Sequence, residues 1–173
     1  MLANYVRLIV FALGLLVGVQ IPGFVDQYQK RVSAHQIEAT RALEGFQQTA
    51  NSYFSGSVEA LIQHHASSND AAFQDEARTV RRLYDRVVAL NLELAALRRP
   101  LFSRILHVAF SPDREIFGET RAEYSYTVPL DPPAITSGII AGVLLALGVD
   151  GVLALLALVL APRLYQRHPA RGR

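Results

Sequence analysis

The sequence contains no cysteine, so neither a disulfide framework nor a thiolate metal site is available to it. That absence fits any redox compartment and identifies none. Charge is also scarce: Asp, Glu, Lys and Arg make up 18% of 173 residues, with a formal net charge of +2. So small an excess gives no electrostatic hold on a polyanion, and no nucleic-acid partner is expected. There is no phosphate-cradling glycine loop, no zinc-ligand spacing and no G-x-S-x-G turn. No cofactor and no enzymatic activity are therefore expected. A strand-period segment of useful length and an internal repeat are lacking too. Apolar residues fill the gap at 51% of the chain, which excludes intrinsic disorder and a collagen-like composition.

The apolar residues concentrate at the two ends. The first run covers Leu8 to Val19 and continues through Gln20 to Val25. As a helix it reaches roughly 27 Å, about the thickness of a bilayer core. Arg7 stands at its edge, where a long basic side chain can snorkel. The exit, Gln20-Ile21-Pro22-Gly23-Phe24-Val25, offers no A-x-A-like cleavage site, so an uncleaved anchor is expected rather than a signal peptide. The second run, Ala134 to Ala161, holds one charge, Asp150. It would measure roughly 42 Å as a helix, so its first turns should stand in the interface. An intramembrane acid costs roughly 2.5–3.5 kcal/mol, and Leu, Ile and Val return about 0.3–0.6 kcal/mol each. With fifteen such residues between Ile135 and Leu160, insertion wins.

The flanks set an orientation. Arg163, Arg167, Arg171 and Arg173 follow the second run without an acid, and Arg7 with the terminal amine precedes the first. Both termini read as cytoplasmic under the positive-inside rule. The expected organisation is a first transmembrane helix over 1–25, a helical domain over 26–133 on the far side, a second transmembrane helix over 134–162 and a basic tail over 163–173.

Pro22-Gly23 should mark the exit of the first span as a kink or short break. Val25, Val32, Ala39, Phe46 and Tyr53 then recur every seven residues, a coiled-coil-like stripe on a helix to about Phe54. A short helix, Val58 to His65, follows with Ser57 as cap. Asp70 should cap a long helix, Ala71 to Arg98, carrying the series Phe73, Val80, Val87, Leu94 and Leu83, Leu90, Leu97. The two long helices should form an antiparallel hairpin. Pro100 opens a short helix, Leu101 to Phe110, with Arg104 and His107 on its polar side. Ser111-Pro112-Asp113 starts another, ending near Tyr124, with Ser111 as cap. From Tyr124 to Pro133 prolines impose extended chain, and Tyr124 and Tyr126 suit an interfacial aromatic belt. The fold class is all-α.

Two stretches are distinctive. Val19-Gln-Ile-Pro-Gly-Phe-Val-Asp-Gln-Tyr28 after an apolar amino terminus, and Tyr124-Ser-Tyr-Thr-Val-Pro-Leu130 before the second run, make the chain resemble an uncharacterised family of small two-span inner-membrane proteins of proteobacteria. The resemblance implies residence in a bacterial inner membrane, with residues 26–133 in the periplasm. It implies no activity and no catalytic residues.

Asp150 is the residue with the most to explain, because an ionisable group in a span defaults to an ion relay, a counter-ion or a pairing site. It lies on a stripe of spacing four, Ala134, Gly138, Gly142, Ala146, Asp150, Ala154, and the first run carries Gly14 and Gly18. Small residues at that spacing let helix backbones approach closely, so the two spans, or two subunits, should pack there with Asp150 facing protein. The first span offers it only Gln20, nearer the opposite face, which points to an intersubunit partner or a protonated acid. His64-His65 diverge on a helix and have no completing ligand one turn on, so they read as structural. His35 reads as a half-buried packing residue. Arg78, Arg81, Arg82 and Arg86, with Asp75, Glu76 and Asp85, read as a solvated, salt-bridged face. The expected function is a non-enzymatic interaction protein of the lipid bilayer, either a homo-oligomeric scaffold or an accessory subunit of a larger membrane complex. The alternative is a small oligomeric ion or proton pathway lined by Asp150. A conducting helix should carry a continuous polar face, however, and the second span offers only Thr136, Ser137 and Asp150.

Overall fold

A computed structural model describes residues 2–126 and 131–165. Every element in it is helical: α1 (Leu2–Tyr53), α2 (Val58–Ala66), α3 (Ala71–Leu97), α4 (Leu101–Phe110), α5 (Arg114–Ala122) and α6 (Pro132–Tyr165). The chain divides into two compact units, Met1–Gly23 with Ser125–Arg173, and Phe24–Tyr124. α1 contributes to both. The Thr127–Leu130 part of the expected extended stretch and the end of the basic tail, including Arg167, Arg171 and Arg173, lie outside the described residues.

The first unit pairs the amino-terminal part of α1 with α6. Both helices are long and apolar enough to cross a membrane. Of the kink or short break expected at Pro22-Gly23, the break does not occur, and Pro22 sits inside the continuous helix α1. Proline removes one backbone bond and crowds the carbonyl four residues back. Val19 is buried in one unit and Val25 in the other, so packing holds the turns on either side of the defect.

The second unit is built on α1 from Phe24 onward and on α3, which run antiparallel. Val25, Tyr28 and Val32 pack with Leu90 and Leu97, and further along Leu43 and Ala50 pack with Ala77 and Val80. The expected hairpin is therefore present, but it does not stand alone. Val58, Leu61 and Ile62 of α2 close its far end. Val108 of α4 and Ile116 of α5 complete the core near Tyr28.

The seven-residue series on α1 fails at its end, because Tyr53 is 80% exposed. A straight helix drifts about 20° per heptad, or about 80° over the four heptads from Val25. The buried path Val25, Val32, Leu43, Ala50 keeps pace by taking one eleven-residue step. Phe73 is nearly half exposed while Ala77 and Val80 are buried.

The caps follow local chemistry. Ser57 accepts the Ala60 amide at 3.1 Å, and Asp70 accepts that of Ala72 at 2.8 Å. The cap of α5 is Asp113, which accepts from Ile116 N–H at 3.1 Å. Ser111, expected there, instead terminates α4, with its amide donating to His107 O. The start of α5 therefore shifts to the following acid.

Candidate functional site

The first unit brings most of the small-residue stripe together. Gly14, Gly18, Gly138 and Gly142 are all buried, and Ala146 is half-buried one turn further on. A Cβ built on Gly18 would stand 2.6 Å from Ala141 Cβ, 2.7 Å from Ser137 O and 2.9 Å from Gly138 Cα. One on Gly14 would meet Leu145 Cδ1 at 2.8 Å and Gly142 Cα at 2.9 Å. One on Gly142 would meet the Phe11 ring and carbonyl at 2.9 Å, and one on Gly138 the Val19 side chain at 2.5 Å. Only hydrogen fits between these backbones, which is what small residues at spacing four provide. The stripe has an end, since Ala154 is exposed.

Asp150 has a partner within its own chain. Arg7 Nε and Nη2 donate to Asp150 Oδ1 at 3.0 and 2.6 Å. This corrects the expectation that the first span offers only Gln20 and that the partner comes from another subunit. The physical reason is register. Gly18 opposes Gly138 and Gly14 opposes Gly142, so the two residue numbers sum to the same value down an antiparallel pair. Asp150 then falls opposite the turn that holds Arg7, and a long guanidinium side chain reaches across. The signal was in the sequence. Matching Gly14-xxx-Gly18 against Gly138-xxx-Gly142 in antiparallel register identifies the partner, whereas judging depth from Gln20 does not.

An exposed pair of this kind contributes about 0.2–1 kcal/mol in water. In hydrocarbon, where either charge alone costs roughly 2.5–3.5 kcal/mol, pairing removes most of the reason to exclude both. The pair is thus much more valuable in lipid than in water.

The second unit holds a polar network that its apolar pattern does not announce. Tyr28 is fully buried. Its hydroxyl donates to Glu93 Oε1 at 2.6 Å and accepts the Asp113 amide at 2.8 Å. His107 Nε2 lies 2.8 Å from the same Glu93 oxygen, and Arg104 donates to Gln29 Oε1 at 3.0 Å. Arg104 and His107 therefore turn toward protein rather than solvent. Arg86 also leaves the expected solvated face, to pair with Asp113 at 2.7 Å and Glu115 at 2.9 Å. Arg78–Asp75 and Arg81–Asp85 remain surface pairs on α3. Burial, then the Glu93 hydrogen bond, pushes the Tyr28 phenol far above its usual range. Its hydroxyl ties α1, α3 and the cap of α5 together.

Nearby, His35 is half-buried as expected, with Nε2 2.9 Å from Glu119 Oε2. That hydrogen bond, aided by Arg31, holds the Glu119 carboxyl below the usual range. A carboxylate so depressed adds stability that is present above its unfolded pKa and is lost as pH falls through the folded one. His64 and His65 sit among aromatic neighbours, Phe54 and Phe73. Among the described residues, no group of three or more His, Cys, Asp or Glu side chains could hold a metal ion.

Fold and site together define an all-helical protein with two paired, membrane-length apolar helices and a separate helical unit encoded between them. The chain belongs to the family described as protein of unknown function, DUF2937, whose model matches residues 2–161. No curated protein and no solved structure matches it.

Proposed function

We propose that this protein is a non-enzymatic integral membrane protein of the bacterial inner membrane, acting as an accessory subunit of, or scaffold for, a larger membrane assembly. The observation that carries the membrane reading is the apolar belt around the glycine-packed pair. Leu8, Leu13, Leu16, Val17, Ile140 and Leu144 are each more than half exposed. In water each such side chain forgoes much of the roughly 1.5–3 kcal/mol that full burial returns, and lipid removes that loss. A buried core helix of a soluble protein would hide these residues.

Antiparallel pairing brings the start of α1 and the end of α6 to the same side, which supports a shared location for both termini. The basic flanks favour the cytoplasm, leaving the intervening helical unit in the periplasm. A reporter that works only in the cytoplasm should be active when fused at residue 173 and silent when inserted at residue 68. The opposite pattern would overturn the topology.

The interaction reading rests on how the chemistry is spent. Arg31 and Arg86 pair with acids of α5 and its cap inside the helical unit, and the glycine stripe is consumed within the chain. Self-association would have to use other surfaces. A pathway lined by Asp150 is disfavoured because Arg7 engages its carboxylate. Purified from native membranes in mild detergent, the protein should migrate well above the mass of one chain plus micelle, with a second membrane protein in fixed stoichiometry. A monodisperse monomer would contradict the proposal.

A further inference from the structure

We infer that α4 is an interfacial helix whose outer face docks on the anionic surface of the bilayer; this rests on the membrane reading above. Phe102, Leu106 and Phe110 recur at spacing four and so share one face of α4. That face is unpartnered: Phe102 is 71% and Phe110 80% exposed, and Leu106 is exposed as well. The opposite face is anchored, with Val108 buried and Ile105 packed in the core. Two large aromatic rings and a leucine on one solvent-facing stripe are costly in water and suited to the boundary between headgroups and acyl chains.

Two further observations favour lipid over a protein partner. The first is charge. From Arg98 to Pro112 the sequence carries no acid, and Arg98 and Arg99, at the start of that segment, are exposed, while Arg104 and His107 turn toward protein. A basic amphipathic segment is attracted to anionic headgroups. The second is position along the chain. α4 packs with Val25, Tyr28 and Val32, and Arg104 reaches Gln29. These are the first turns of the helical unit. The helical unit begins at Phe24, so α4 packs where α1 enters that unit. An amphipathic helix of this kind buries its apolar face about 5–10 Å into the headgroup and acyl boundary.

The chain has no tryptophan, so a single introduced one is an unambiguous reporter. Phe102→Trp, in the full chain reconstituted into phosphatidylglycerol-containing vesicles with brominated acyl chains, should lose most of its emission. Val17→Trp, on the exposed face of the first apolar helix, should be quenched as well. Tyr53→Trp, at the other end of the helical unit, should not. Arg98→Gln with Arg99→Gln should weaken the quenching at position 102 and leave that at 17 unchanged. Quenching at 17 but not at 102 would overturn the docking of α4 while leaving the membrane reading intact. A blue-shifted but unquenched signal at 102 would mean that protein covers the stripe, which also overturns it. If neither position is quenched, the membrane reading itself fails.

Discussion

Gly18→Leu should separate the two apolar helices and lower the folded fraction of the protein in membranes. Its first added carbon would lie 2.6–2.9 Å from Ala141 Cβ, Ser137 O and Gly138 Cα. Two of those atoms are backbone, so no side chain can rotate away, and relief requires the helices to move apart. Overpacking typically costs about 1–3 kcal/mol, and contact with rigid backbone places this substitution at the upper end. Separation would also pull Arg7 from Asp150, leaving two charges without their partner. Gly148→Leu is the matched control, because a Cβ there meets nothing within 4 Å. Thermal unfolding in detergent should show a large loss for the first variant and almost none for the second. Equal stability of the two would mean that the glycine contact is not an interface.

Leu90→Asp should be more damaging still, and in the other unit. Leu90 is 1% exposed, in the cluster with Tyr28, Val32, Leu97 and Val108. Removing its side chain alone costs about 2–5 kcal/mol, and an unpaired buried carboxylate adds to that. A loss of about 4 kcal/mol or more is a large share of the roughly 5–15 kcal/mol that holds a domain together. For a unit of this size it lowers Tm by roughly 15–30 °C. Leu92→Asp, two positions along the same helix, should do little, because Leu92 is 67% exposed. Circular dichroism and protease resistance of the full chain distinguish the two. Comparable damage from both would contradict the packing of α3.

The contrast between Leu90 and Leu92 also shows what the sequence made legible. Helix-period burial identified α3, its buried Leu90 and Leu97, and the caps Ser57 and Asp70, because those signals act over one or two turns. The Leu101–Phe110 helix was legible for the same reason, with Pro100 before it. The end of the α1 stripe was not, since a strict heptad accumulates rotation that a straight helix does not follow, and Tyr53 was carried out to solvent. Of the kink or short break expected at Pro22-Gly23, the break does not occur, because local propensity yielded to packing on either side. Glycine spacing was legible on both apolar helices, but Arg7 as the partner of Asp150 required the register of one helix against the other. The network around Tyr28 and Glu93 lay hidden for a similar reason. Its members come from α1, α3, α4 and the start of α5, and no local pattern links them.

The pairing of α1 with α6 within one chain is the central claim, and the absence of cysteine makes it directly measurable. Arg7→Cys and Asp150→Cys, introduced together and treated in intact membranes with a short bifunctional maleimide, should be bridged within a single chain. The product should run at monomer mass and lose both free thiols. Arg7→Cys with Ile135→Cys should not be bridged, because antiparallel register separates those positions by about 22 Å along the helices. Bridging of 7 to 150 only between chains, or efficient bridging of 7 to 135, would contradict the account.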